Sequence, residues 1–464
     1  MNPFAASPFL QSLHTLLGSA LLTDPVECHP YGGDWSRQHE PAPLAVALPR
    51  SVDEVVALVK LAREFGVALV PSGGRTGLSG AAVAAHGELV VAFDRMQRIL
   101  DFNPIDRTVT VEAGLVTAQL QQFAQQQGLF YPVDFASAGS SRIGGNIATN
   151  AGGIKVIRYG LTRDWVAGLK VVTGSGELLE LNQGLIKNAT GYDLRHLFIG
   201  SEGTLGLIVE ATLRLTLPPR PLKVAVLGVP GLSAIMEVLA AFRSRVALTA
   251  FEFFSEAALT HVVQRTGLPR PFEEATPYYC LVELECEPHE EAQLLACFEH
   301  CLESGWVSDG VISQSEAQLR NLWRLREDIS ETIAPFTPYK NDLAVRISAI
   351  PAFLQAVDAL VQRHYPEFEV IWFGHIGDGN LHLNILKPAN WEKSAFFAEC
   401  AKVSELIFAE VKRAGGSISA EHGVGLLKKP YLGYSRAPAE IALMRGIKAA
   451  FDPDGILNPG KIFD

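Results

Sequence analysis

Positive charge is scarce in this sequence. The 39 Lys and Arg are outnumbered by 50 Asp and Glu, which leaves a formal net charge of −11 over 464 residues. No broad basic face is available for phosphate contacts, which excludes nucleic acid as the main partner. Cysteine is equally thin as a framework. Cys28, Cys280, Cys286, Cys297, Cys301 and Cys400 form no CxxC pair and no even spacing, so a reducing compartment is expected. Cys297 and Cys301, one helical turn apart, read as core packing. No Lys or Arg precedes Arg37, so the start lacks the basic region of a signal or transit peptide. No run is long and apolar enough to span a bilayer, and a cytoplasmic location without a transmembrane segment is the expectation. Short-period repeats and low-complexity tracts are missing too. What the N-terminal stretch does carry is Phe9, Leu13, Leu16, Leu17 and Leu21 at helical spacing, an amphipathic helix.

Glycine is plentiful, and its 41 residues cluster where backbone must come close to something. The length calls for two or three domains. Ser51-Val-Asp-Glu54 predicts a capped helix ending at Gly66, followed by a strand over Val67–Val70 and the stretch Pro71-Ser-Gly-Gly-Arg-Thr-Gly-Leu-Ser-Gly80. Strand and helix patterns continue to a second glycine-rich stretch, Gly139 to Gly153, and to strands near Leu169–Val172 and Gly206–Leu215. Pro218, Pro219 and Pro221 then punctuate the chain. Beyond them the pattern is strand (Lys223–Val229), helix, strand (Leu248–Phe254), strand (Tyr278–Glu285), helix, strand (Gly310–Ser313). That β-α-β-β-α-β order predicts a ferredoxin-like sheet with helices on one face. The expected fold class is α+β, divided at 1–218, 219–415 and 416–464.

Two glycine-rich segments in one region suit a pyrophosphate, because successive backbone N–H groups bind anions without cationic side chains. Neither is a G-x-G-x-x-G turn or a Walker loop. Asn146, Thr149 and Asn150 add polar atoms to the second. A third stretch, Gly200-Ser-Glu-Gly-Thr-Leu-Gly206, would alone pass for a loop before a strand. Later, Gly374-His375-Ile-Gly-Asp-Gly-Asn380-Leu-His382-Leu-Asn384 sets two histidines about a glycine-rich loop, with His382 and Asn384 on one face of a strand. Glu421 and His422 add a carboxylate and an imidazole. Two imidazoles and a carboxylate suit Zn²⁺ or a similar borderline ion with a position left for substrate. Arg326 and Ser330, four apart on a helix starting near Ser315, share a face. With Lys340 they form either an anion clamp or a solvated helix surface.

Together these segments, from about Trp35 to the C-terminus, resemble the FAD-linked oxidases of the vanillyl-alcohol-oxidase type, in the branch that includes D-lactate dehydrogenases, glycolate oxidase and D-2-hydroxyglutarate dehydrogenase. The resemblance implies a two-part FAD-binding domain, a ferredoxin-like substrate (cap) domain and a C-terminal segment returning to the flavin. It implies FAD contacts at Pro71, Gly73, Gly74, Arg75, Thr76, Gly77, Leu78, Pro132, Gly139, Ser140, Gly144, Gly145, Asn146, Thr149, Asn150, Gly152, Gly153, Glu202, Gly203, Ile208 and Asn458. Some relatives attach FAD through a His in the first loop; Arg75 stands here, implying non-covalent FAD. By the same resemblance His375, His382 and Glu421 hold a divalent metal, zinc foremost among zinc, manganese and cobalt, and His422 is the catalytic base. Arg326, Ser330, Lys340 and Asn384 bind substrate, with Ser330 where the family commonly has Thr. The implied reaction is oxidation of a D-2-hydroxy acid, D-2-hydroxyglutarate to 2-oxoglutarate foremost, by hydride transfer to flavin N5. D-lactate or glycolate is the alternative substrate. A flavin reductase and a metal-binding scaffold with a decayed flavin site stay open as other classes. An electron acceptor, such as an electron-transfer flavoprotein or a quinone, is implied as a partner, and a homodimer is one expected assembly.

Overall fold

The structure, a computed structural model, describes residues 7–464. The chain divides into two compact units. The first comprises residues 1–152, 161–218 and 421–464, and the second residues 153–160 and 219–420. Among the described residues no helix is long and apolar enough to cross a membrane.

The first unit is built on two sheets. Four strands lie in the order Leu21–Leu22, Ala45–Ala47, Leu89–Ala92, Leu69–Ser72, the last three parallel to one another. Five antiparallel strands follow the order Ile99–Asn103, Thr108–Glu112, Gly206–Arg214, Val166–Thr173, Leu178–Leu181. The apolar stripe of the N-terminus forms the helix Pro8–Leu17, which buries Phe9, Leu10, Leu13 and Leu17. The expected cap of the next helix is present. Ser51 Oγ accepts from the Glu54 amide, Glu54 reaches back to the Arg50 amide, and Gly66 closes Val52–Phe65 in a left-handed conformation. The strand expected over Val67–Val70 runs instead over Leu69–Ser72. Its parallel register with Leu89–Ala92 carries pairing two residues further, into the glycine loop.

The second unit holds one antiparallel sheet of seven strands: Asp309–Ile312, Leu222–Val229, Tyr278–Glu285, Ala247–Ser255, Val370–Gly374, Asn380–Ile385, Tyr339–Ala344. In chain order the first four read 4-1-3-2, the ferredoxin-like arrangement, and three later strands extend the sheet at one edge. The helices Glu256–Thr266 and Glu316–Glu327 pack Ala258, Leu259, Val262, Leu322 and Leu325 onto the face carrying Val224, Val226, Phe254, Tyr279, Leu281 and Phe373. Cys297 and Cys301 are fully buried in the helix Glu291–Glu303, as core packing requires.

Candidate flavin cradle and polar sheet face

In the first unit the two glycine-rich loops meet. A Cβ added at Gly74 would stand 2.3 Å from the carbonyl oxygen of Ser140, so only glycine permits this approach. At Gly203 an added Cβ would lie 2.4 Å from Pro71 Cγ, which brings the third loop against the first. Gly139 and Gly145, by contrast, have nothing within 4 Å of such a Cβ; they border open space. Four of the expected cofactor residues that are not glycine adopt positive φ: Arg75 at 58°, Asn150 at 49°, Glu202 at 52° and Asn458 at 43°. Backbone strain of this kind concentrates at ligand sites.

Asp94, which the sequence reading missed, ties the loops together. Its carboxylate pairs with Arg75 at 3.3 Å and with Arg142 at 2.9 Å, while Arg142 also donates to the Gly114 carbonyl at 2.6 Å. Arg75 further stacks on Tyr31, 4.7 Å from the ring centroid. Asp34, also missed, accepts from the Gly80 amide at 2.7 Å and closes the end of the first loop; burial pushes its carboxyl above the usual range.

Several side chains named for the cofactor have structural partners. The Asn146 amide donates to Thr117 at 2.7 Å, the Thr149 hydroxyl to the Gly145 carbonyl at 3.1 Å, and Asn150 Oδ1 accepts from the Arg163 amide at 3.0 Å. Pro132, Gly152 and Ile208 are buried, and Gly153 opens the segment belonging to the second unit. Thr76, Gly77 and Leu78 line the first loop and Gly144 packs on Ala113, while Ser140 is exposed. Asn458 laces the loops from behind, donating to the carbonyls of Ala81 at 2.9 Å and Glu202 at 2.7 Å. Its Oδ1, like Ser79 Oγ, is buried without a hydrogen-bond partner. The open space at Gly139 and Gly145, and buried polar atoms left without partners among the described residues, fit a flavin nucleotide.

Glu202 does something other than line a pocket. Its carboxylate accepts from the amides of Val424 and Gly425, both at 2.7 Å, and so holds the loop that carries Glu421 and His422. Burial raises its pKa against the pull of those two donors. Gly423, with φ of 82°, could carry no Cβ without meeting this carboxylate at 2.9 Å. Within the loop Glu421 Oε1 lies 3.8 Å from His422 Nε2.

In the second unit the sheet register collects the other candidates. Lys340 pairs with Asn384 and Asp342 with His382, and Ile371 and Phe373 continue the two rows. His382 Nδ1 lies 3.8 Å from Asp342, whose Oδ1 accepts from Asn380 at 3.0 Å and whose Oδ2 accepts from the Ala420 amide at 3.1 Å. Glu421 and His422 follow Ala420 directly in sequence. His375 Nδ1 lies 2.9 Å from Glu252 Oε1 and 2.8 Å from Oε2, and Arg326 Nη2 forms an ion pair with Oε2 at 2.9 Å. A carboxylate acceptor at Nδ1 favours the tautomer protonated there, which would leave Nε2 with a lone pair. Asp342 and Glu252 escaped the sequence reading. Glu252 left a signal: it is a lone acid inside the apolar strand Ala247–Ser255.

Ser330 does not join Arg326. The helix containing Arg326 ends at Glu327, and in the next, Ile329–Ile333, burial of Ile329 and Ile333 turns Ser330 to solvent. The four-residue spacing therefore fails to give a shared face.

The matches to known proteins agree with this architecture. Residues 218–462 match the family model "FAD linked oxidases, C-terminal domain", and residues 43–182 match "FAD binding domain". The chain belongs to the FAD-linked oxidase family. A D-2-hydroxyglutarate dehydrogenase of Stutzerimonas stutzeri (strain A1501) is 62% identical over 96% of this chain and 96% of its own length. A mitochondrial D-2-hydroxyglutarate dehydrogenase of Bos taurus is 37% identical over 98% and 83% respectively. Among solved structures, p-cresol methylhydroxylase with substrate bound superposes with a TM-score of 0.75 at 16% identity, covering 100% of this chain and 98% of that one. That likeness is one of fold, of the vanillyl-alcohol-oxidase type. This FAD-linked family member is an FAD-dependent dehydrogenase, with an FAD-binding part and an α+β C-terminal domain.

Proposed function

We propose that this family member oxidises D-2-hydroxyglutarate to 2-oxoglutarate and needs a divalent metal, zinc foremost, held by His375, His382 and Glu421. The observation that carries the reading is the single sheet face on which Lys340, Asn384, His382 and Phe373 lie in register, with Arg326 stacked over Phe373 at 4.8 Å. Two cations and an amide suit a substrate with two carboxylates. The names of the relatives at 62% and 59% identity support the same substrate.

When bound, the flavin supplies hydride acceptance and the metal lowers the pKa of a coordinated hydroxyl. The remaining work falls to the chain. His422 takes the hydroxyl proton on an imidazole nitrogen, with its loop fixed by Glu202. Arg326 and Lys340 hold carboxylates, and Asn384 orients the substrate by hydrogen bonding. The glycine loops position the cofactor non-covalently. One observation favours the smaller acid, D-lactate or glycolate: Glu252 already neutralises Arg326, which leaves Lys340 as the uncompensated cation.

The test is the visible spectrum of the anaerobic protein before and after addition of D-2-hydroxyglutarate, with and without prior chelation. Bleaching of the flavin band only in the metal-replete sample is expected. A band bleached faster by D-lactate would move the substrate to the smaller acid, and equal bleaching after complete metal removal would dismiss the metal.

Lys340 adds a pH dependence. Desolvation of its ammonium lowers its pKa from 10.5. With the folded-state pKa the lower one, the unfolded chain binds more protons in the interval below 10.5, so folding stability rises with pH there. The cation itself is lost early. The KM for D-2-hydroxyglutarate should therefore climb with alkalinity before pH 10.5, and Lys340→Arg, which keeps its charge, should flatten that climb. An equal climb in both proteins would free Lys340 of this role.

A further inference from the structure

Five side chains in the second unit close a ring. Arg326 stacks on Phe373, Phe373 lies 5.1 Å from the His382 ring, and His382 meets His375 edge-on at 5.4 Å. His375 then contacts Glu252, and Glu252 pairs back with Arg326. Glu252 is 1% exposed and Arg326 is 6% exposed, so neither charge is compensated by water. Among the described residues the buried Arg326 Nε has no hydrogen-bond partner, and Glu252 Oε2 meets the guanidinium as an ion pair and not as a hydrogen bond.

We propose that Glu252 is a positioning residue that serves the metal and the substrate at once. Its carboxylate, against Nδ1, fixes the tautomer of His375 so that Nε2 is offered for coordination, and its ion pair holds the Arg326 guanidinium in place for a substrate carboxylate. This rests on the metal reading given above. A carboxylate behind a ligating imidazole raises its basicity and locks its rotation, and loss of such a partner commonly weakens metal binding roughly 10- to 100-fold. Here the same carboxylate also contacts the substrate clamp, so one substitution should disturb metal and substrate binding together. Glutamine at 252 keeps the volume, but it cannot neutralise the guanidinium.

The experiment measures Zn²⁺ affinity of the purified, flavin-loaded protein against a competing chelator, together with KM for D-2-hydroxyglutarate and flavin content. For Glu252→Gln we expect Zn²⁺ binding weaker by roughly 10- to 100-fold, a raised KM, and unchanged flavin content, since the glycine loops belong to the other unit. Wild-type Zn²⁺ affinity in this variant would overturn the inference. Absence of Zn²⁺ binding in the wild type would instead sink the metal reading, and this inference with it. Should the single variant not fold, removing the stranded cation as well restores neutrality. Glu252→Gln with Arg326→Met is then compared with Arg326→Met alone. Weaker Zn²⁺ binding in the double variant supports the link to His375, and equal binding overturns it.

Discussion

Replacement of His422 by Asn is expected to slow substrate-driven flavin reduction by roughly 10²–10⁴-fold, the usual worth of a positioned general base, while the purified protein stays yellow. Asparagine keeps a polar side chain of similar reach but accepts no proton at neutral pH. The expectation that the cofactor survives has a structural cause. The residues proposed to cradle it are Gly73–Gly77, Gly139–Gly145 and Asn458, whereas the backbone of the His422 loop is held by Glu202 through Val424 and Gly425. The substitution leaves those two hydrogen bonds in place. Stopped-flow absorbance of the anaerobic protein separates the outcomes: wild-type reduction rates would remove His422 from the proton transfer, and loss of the flavin band would mean that the side chain supports the cofactor instead.

The second large effect concerns two glycines that read alike in sequence and differ in space. At Gly74 a methyl group would strike the Ser140 carbonyl at 2.3 Å and Ser141 Cα at 2.8 Å, all backbone. Gly74→Ala must force the loops apart, at a cost of about 1–3 kcal/mol, and should lower the melting temperature as well as the flavin content. At Gly145 nothing lies within 4 Å, so Gly145→Ala should fold with an unchanged melting temperature. Its methyl projects into the open space assigned to the cofactor, and flavin content alone should fall. If 1–3 kcal/mol of overpacking falls on binding, FAD affinity drops roughly 5- to 150-fold. A Gly145→Ala protein that retains full flavin would show that the open space serves something else.

The glycine loops were legible because their chemistry is local: close approach demands the absence of a side chain, and sequence displays that directly. The ferredoxin-like order was legible from strand and helix periods. The three strands that extend that sheet were only partly visible, since pairing of Tyr339–Ala344 with Asn380–Ile385 is a long-range event. With them went Asp342, whose role depends on standing opposite His382. Glu252 and Asp94 were missed for a related reason, as each matters through cations far away in sequence. Arg326 and Ser330 were expected to share a face and do not, because a four-residue spacing describes a continuous helix and this one breaks at Asp328. Glu202 was expected beside the flavin, and what sequence did not display is that its carboxylate accepts from the amides of Val424 and Gly425 in the His422 loop.

The way Asn458 laces the first unit has a consequence for biogenesis. Its side chain reaches the carbonyl of Ala81, 377 residues earlier, and Lys461 reaches Val83 across 378. A nascent chain emerging N-terminus first therefore exposes the first glycine loop long before this fastening is synthesised, whereas nearly all of the second unit is continuous and complete by Ala420. This connectivity places the fastening of the first glycine loop after the synthesis of Asn458 and Lys461.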